Sequence, residues 1–241
     1  MKFSSITNVM NEEDILSGCL SLLDVDFKIV VISDTTHSGL SYVPDNSEQI
    51  AIDSGAMVIR VKNVDEIGMR NLGLGMSLAL GADYAFIVDA DEYYPRKTLE
   101  NYKKFIEQNP YLSYRAKMLV SFRQPNWVVP CPTDHGSIVA IRTDQRFNQL
   151  RSHGDSISIP DELGTIYHIS YARSAKKIEE KMKSFSHASE VLPNWFNEVF
   201  LPATLESHNV HPTSPSVWPD IKVIELPEEV KEKIPKNLWQ K

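Results

Sequence analysis

Between residues 3 and 110, short apolar runs alternate with longer stretches of helical spacing, and this order constrains the fold more than any other feature of the chain. Phe3 to Val9 is a short β-prone run, FKIVVI at 27–32 a fully buried strand type, and Ala56 to Val61 and Tyr84 to Val88 two more. Between them, Ile15, Leu16, Cys19, Leu20 and Leu23 follow a helical period, and so does the segment from Ile67 to Leu80, closed by Gly81. The acidic residues Glu12, Glu13 and Asp14 are expected in the first turn of the first helix, and Lys97 to Gln108 forms a further helix before Pro110. Strands separated by helices predict a largely parallel sheet covered on both faces. Ligands bind such sheets beyond the carboxyl ends of the strands. Asn8, Asp34 and Asp89 all fall at those ends.

The fourth run, FIVDADEYYP, ends in Asp89, Asp91 and Glu92. Alternate residues of a strand share a face, so Asp89 and Asp91 are expected to point the same way. Two carboxylates so placed repel unless a cation lies between them. Oxygen ligands at a sheet edge suit Mg²⁺ or Mn²⁺, and Mg²⁺ commonly completes its shell with substrate phosphates. Other uses of the motif fit less well. A dehalogenase-like phosphatase places Thr where this chain has Tyr93, and an EF-hand loop places Gly where it has Tyr94.

The second half changes character. Ser113 to Arg123 and Ser137 to Arg142 read as β segments joined by a loop containing Trp127, residues 143–165 as irregular, Ile166 to Tyr171 as a strand, and Ala175 to Ala188 as a basic amphipathic helix. Seven of the 14 prolines follow Leu192, which predicts a tail packed on the domain rather than a second core. The expected division is therefore a domain over 1–190, with a ligand-binding half at 1–110 and an opposing half at 111–190, followed by a tail at 191–241. A net charge of −7 counts against non-specific phosphate binding to nucleic acid. Two cysteines, Cys19 in an apolar helix and Cys131 between prolines, make no disulfide framework. No stretch reaches the ~18 apolar residues of a membrane helix. A cytoplasmic chain, soluble or peripheral to a membrane, is the expectation.

Three segments taken together, ITNVMNEEDILSGCLSLL, VVISD and MRNLGLGMSLALGADYAFIVDADE, resemble glycosyltransferase family 2 and the wider group of GT-A nucleotide-sugar transferases, with a weaker echo in IYHISYARSAKKIEEKM. The resemblance implies a GT-A (Rossmann-like) fold, a nucleoside diphosphate sugar donor with UDP favoured, and a divalent metal on the diphosphate. By position it makes Asp91 the main metal ligand, Asp89 a ribose or metal contact, and His168 the late histidine that completes the metal shell, suited to Mn²⁺. It places Asp34, Thr7, Asn8 and Asp83 around the base, and Glu12 and Arg70 at the donor.

Two departures stand out. Ser33-Asp34 replaces a pair of aspartates, and the Glu-Asp pair that serves relatives as general base is missing from the acceptor half. Asp134 and Asp155, in loops of that half, are the candidate bases. Trp127 is a candidate sugar-stacking ring and Arg173 a candidate acceptor contact. The expected activity is transfer of a hexose or pentose to a hydroxyl, with inversion. A saccharide of a cell envelope is the first acceptor to consider and a hydroxylated DNA base the second. The alternative is a GT-A module that binds nucleotide or glycan without turnover.

Overall fold

The computed structural model of the chain describes residues 1–36, 41–130, 136–185, 187–214, 218 and 220–239. Four strands, β1 (Phe3–Val9), β2 (Phe27–Ser33), β3 (Met57–Val61) and β4 (Tyr84–Asp89), run parallel. They alternate with α1 (Leu16–Leu22), α2 (Ser47–Asp53) and α3 (Glu66–Ala79), and α4 (Arg96–Gln108) follows after the two-residue strand β5 (Glu92–Tyr93). The later strands are β6 (Ser113–Ala116), β7 (Met118–Phe122), β8 (Gln124–Pro130), β9 (Ser137–Arg142), β10 (Ile157–Ser158), β11 (Ile166–Tyr171) and β12 (Lys222–Val223), with helices α5 (Ala175–Ser184) and α6 (Glu228–Lys233). The main sheet has the order β10-β6-β9-β4-β1-β2-β3, with β9 antiparallel to both neighbours. The mostly parallel α/β sheet is therefore the one the alternation predicts, and the GT-A-like fold the one the resemblance implies.

Strand parity sorts the cores. In β4, Tyr84, Phe86 and Val88 join the large cluster under α1, α4 and α6, while Ala85 and Ile87 join the cluster under α3. On β1, the residues facing α3 meet it turn by turn: Ser4 Oγ bonds Ser77 Oγ at 2.8 Å, Ile6 lies against Gly73, and Asn8 Nδ2 reaches the Glu66 carbonyl at 3.4 Å. A Cβ on Gly73 would sit 2.4 Å from Ile6 Cγ2, so glycine is what lets helix and strand approach. By the same parity Asp89 turns toward α3.

Several local expectations are corrected. The first helix begins at Leu16, and Glu12 to Asp14 lie ahead of it, spent on side-chain contacts instead of a helix dipole. Asn11 takes a left-handed backbone (φ 53°) at that bend. Ser113–Arg123 is two strands in different sheets, parted at Lys117. The expected Trp127 loop is strand β8. The opposing half, which the GT-A resemblance leads one to expect as a small antiparallel portion, contributes to the mixed sheet β12-β8-β7-β11-β5, in which β7 and β11 run parallel and the other pairs antiparallel. Residues beyond 190 pack on the domain and enter two of the three hydrophobic clusters among the described residues: Trp195, Phe200, Val210, Trp218 and Ile221 form a second core with β7 and α5, and Leu226, Val230, Ile234 and Leu238 join the large one with α1 and α4.

Candidate functional site

The main strand ends at Asp89, and Asp91 lies past it in a turn before β5. The two aspartates therefore do not share a face and take different partners, contrary to the strand-parity expectation. Asp89 Oδ1 accepts from Arg70 Nη2 at 3.0 Å and Oδ2 from Arg151 Nη1 at 2.9 Å. Asp91 Oδ1 lies 3.0 Å from His168 Nε2, and Oδ2 accepts from Lys181 Nζ at 2.9 Å. Burial pushes both carboxyls up, but the facing cations outweigh it and hold each well below the usual range. Burial pulls the His168 imidazole down, and Asp91 beside it, aided by Glu92, more than reverses this. Glu92, fully buried, is raised by burial despite Arg151.

Arg151 organises the floor of the site. Its Nη2 donates to Glu92 Oε2 at 2.8 Å and to the Ile87 carbonyl at 2.9 Å, its Nε to the Ile138 carbonyl at 2.9 Å, and its Nη1 to Glu92 Oε1 as well as Asp89. It sits in a left-handed backbone (φ 39°) within the irregular segment. No pattern in the sequence singles it out, nor Lys181, whose basic helix reads equally as a solvated face. Arg70, 2% exposed, also bonds Glu66 Oε1 at 2.6 Å, so it positions Asp89 from below rather than reaching an open donor site.

Beside these acids, at the carboxyl ends of β2 and β3, opens a cavity of about 260 Å³ lined by Asn11, Asp34, Tyr42, Ser47, Arg60 and Lys62 among others. Asp34 is exposed there. Glu12 connects cavity and acids. Its N–H donates to Ser47 Oγ at 2.8 Å, its carboxylate accepts from Arg173 Nη1 at 2.9 Å, and it lies within the fields of Asp91, Lys177 and Lys181. Burial raises its carboxyl against those cations. Lys177 donates to the Asn11 carbonyl at the cavity rim, and Lys181, one turn on, reaches Asp91. Four residues of α-helix rise ~6 Å, so the two side chains leave one face of α5 a turn apart.

Other expected site residues lie elsewhere. Thr7 is fully buried between β2 and β4 and does not line the cavity. Asn8 is also off the cavity, but pairs in register with Asp89 and so adjoins the acids. Asp83 precedes β4 and accepts from the Lys2 N–H at 2.8 Å, at the opposite end of the sheet from Asp89. Asp155 borders β10 at the far edge, three strands and ~14 Å from β4, out of reach of a hydroxyl held near Asp91. Asp134 lies outside the described residues, as do Cys131 and His135. Trp127 is half-buried, packed against the second core and paired with Val223. Arg173, 2% exposed, is held by Glu12 and Asp14 and is not open to an acceptor.

Asp91 and His168 come from positions 77 residues apart, one after β4 and one on β11, where β5 pairs Glu92 with His168. A carboxylate oxygen facing an imidazole nitrogen is a donor pair that fits Mn²⁺. Among the described residues no group of three or more His, Cys, Asp or Glu side chains is placed to hold an ion.

No protein-family model matches the chain, and no curated protein matches it. Among solved structures it is similar to S. aureus TarS 1-349 in complex with UDP, at 19% identity, covering 76% of this chain and 64% of that one, with a TM-score of 0.47. It is similar to glucosyl-3-phosphoglycerate synthase from Mycobacterium tuberculosis in complex with Mn²⁺, UDP and phosphoglyceric acid, at 15% identity, 74% and 73% coverage and a TM-score of 0.45. It is also similar to the mannosyltransferase PcManGT from Pyrobaculum calidifontis in complex with GDP-Man and Mn²⁺, at 16% identity, 66% and 55% coverage and a TM-score of 0.42. The chain thus spans less than two thirds of the TarS chain and of PcManGT, and likenesses of this extent assign no activity. No helix among the described residues is long and apolar enough to cross a membrane.

Proposed function

We propose that the chain is a metal-dependent glycosyltransferase that moves a sugar from a nucleoside diphosphate sugar, UDP-sugar favoured, to an acceptor hydroxyl with inversion. The observation that carries this reading is a chain of neighbouring contacts. Asn11, on the wall of the cavity of about 260 Å³ that Asp34 also lines, accepts from Lys177, and Lys181 one turn on reaches Asp91, which pairs with His168. The order of these contacts matches base, diphosphate and metal.

In this reading Asp34 accepts a hydrogen bond from the base. Glu12 and Asp89, both partly exposed, face the ribose, and Asp89 is held ready by its two arginines. Asp91 and His168 hold the ion, Mn²⁺ before Mg²⁺ because of the imidazole. When bound, the ion neutralises charge that develops on the departing diphosphate. Lys177 and Lys181 add positive charge along the same path. Asp134 is carried forward as the general base. The acceptor is a saccharide first, in an envelope glycan, and a hydroxylated DNA base second.

One observation favours the second reading, a nucleotide-binding module without turnover: every carboxylate oxygen of Asp89 and Asp91 already has a basic partner. Titrating UDP with and without Mn²⁺, then assaying release of UDP from a panel of UDP-sugars, separates the two. Mn²⁺-dependent binding with turnover is expected. Asp91→Asn removes the Mn²⁺-dependent part of UDP binding, at least tenfold in Kd; an unchanged response refutes the metal role of Asp91.

A further inference from the structure

Lys181 is placed with more care than a solvated lysine needs. Its ammonium donates to Asp91 Oδ2 at 2.9 Å and to Ser170 Oγ at 2.6 Å, and lies 5.4 Å from the centre of the Tyr171 ring. Its side chain is 23% exposed and that of Asp91 11%. The ammonium thus occupies the oxygen of Asp91 that His168 leaves open. An ion ligated by Asp91 competes for that carboxylate with a fixed positive charge, and two cations on one carboxylate repel each other. The helix carrying Lys181 is pinned one turn earlier, where Lys177 donates to the Asn11 carbonyl, and at its start, where Ser174 Oγ accepts from the Lys177 N–H at 3.2 Å. Release of Asp91 therefore needs only the Lys181 side chain to swing, not the helix to move. An ammonium leaving a carboxylate needs a new anionic acceptor, and a diphosphate lying between Lys177 and Asp91 is one.

We propose that Lys181 is a positioning residue that couples metal to nucleotide. It closes Asp91 in the free protein, and it transfers to the diphosphate when metal and nucleotide enter together. This rests on the glycosyltransferase reading of the site. The consequence is thermodynamic and reciprocal: UDP tightens Mn²⁺ and Mn²⁺ tightens UDP by the same factor, and that factor depends on the Lys181 charge. A cation that only stabilised the fold would leave the coupling factor unaltered.

The test is Mn²⁺ titration of the full chain by electron paramagnetic resonance, with and without UDP, for wild type, Lys181→Met and Lys181→Arg. Wild type is expected to bind Mn²⁺ weakly alone and at least tenfold more tightly with UDP. Lys181→Met is expected to bind Mn²⁺ alone at least tenfold more tightly than wild type, with the factor that UDP adds reduced at least threefold from wild type; the part that remains comes from the phosphates' own bonds to the ion. Lys181→Arg, which keeps the charge, should stay near wild type. If Lys181→Met fails to fold, Lys181→Gln carries the same expectation, because its amide still reaches toward Ser170. Wild-type coupling that survives intact in the neutral variant overturns this proposal and leaves the glycosyltransferase reading standing. A wild type that binds neither Mn²⁺ nor UDP overturns both.

Discussion

Arg151→Met tests whether the acidic end of β4 depends on its buried arginine. Arg151 is the partner of Glu92, whose side chain is 0% exposed, and of Asp89, which is 31% exposed and keeps Arg70. The dominant cost is therefore the stranded Glu92. Removing one member of a buried ion pair costs ~3–5 kcal/mol. The carbonyls of Ile87 and Ile138 also lose their donor. A methionine preserves the stem and meets the same left-handed backbone as arginine, so backbone strain cancels between the two chains. The expected loss is about 4 kcal/mol. In urea, with an m-value near the upper end of ~1–3 kcal/mol/M, that lowers the midpoint by roughly 1.5 M without changing m. The assay is equilibrium denaturation followed by tryptophan fluorescence. The decisive second variant is Arg151→Met with Glu92→Gln, which removes the stranded charge and should recover about 2 kcal/mol or more. A loss below ~1 kcal/mol, or no recovery in the double variant, refutes the reasoning.

Two further outcomes follow from the region beyond residue 190. The His211 ring lies 4.3 Å from that of Trp218, and its Nδ1 accepts N–H bonds from Thr213 at 3.2 Å and Ser214 at 3.0 Å. Burial, with a smaller push from His187, lowers the imidazole from 6.5 to about 4. Between those values the unfolded chain holds the extra proton, so stability falls as pH drops through the window and its His211 part is restored above 6.5. The gap is nominally ~3 kcal/mol, and the partial exposure of the ring reduces it to about 1–2; His211→Asn should flatten that part of a urea-midpoint profile against pH. A chain cut after Glu190 loses nine large buried side chains from Trp195 to Leu238, worth ~15–25 kcal/mol at ~1.5–3 each. This exceeds the ~5–15 kcal/mol by which domains are stable, so residues 1–190 alone should show no cooperative melt in near-ultraviolet circular dichroism.

The order of β1 to β4 was legible because β1, β2 and β4 are buried along most of both faces, and their apolar runs carry that signal without any tertiary information; β3, half-buried at the sheet edge, was marked by its β-branched run alone. The carboxyl-end location of Asp34 and Asp89 follows from the same reading. What failed did so for definable reasons. Residues 113–123 read as one β segment, and only the change of partners at Lys117, from β9 to β11, divides it between sheets. Asp83 and Asp89 bracket a single strand, so a position-by-position resemblance put both at the ligand although they lie at opposite ends. Arg151 and Lys181 were invisible because ion-pair partners distant in sequence leave no periodicity.

The density of charge at the end of β4 is itself explained by those distant partners. Asp89, Asp91 and Glu92 bring three carboxylates to a place where β4, β5 and β11 meet. Arg70 arrives from α3, Arg151 from the segment after β9, and Lys181 from α5, one cation for each acid. Two of these pairings differ in exposure. Glu92, 0% exposed, is sealed against Arg151, whereas Lys181, 23% exposed, keeps its pair with Asp91 open to solvent. A sealed pair gains nothing from exchange with a ligand, because breaking it strands a buried charge. A pair with partial access can trade one partner for another at little desolvation cost. The same acidic tip therefore contains a fixed part, built on Glu92 and Arg151, and, on the coupling proposed for Lys181, an exchangeable part built on Asp91, His168 and Lys181.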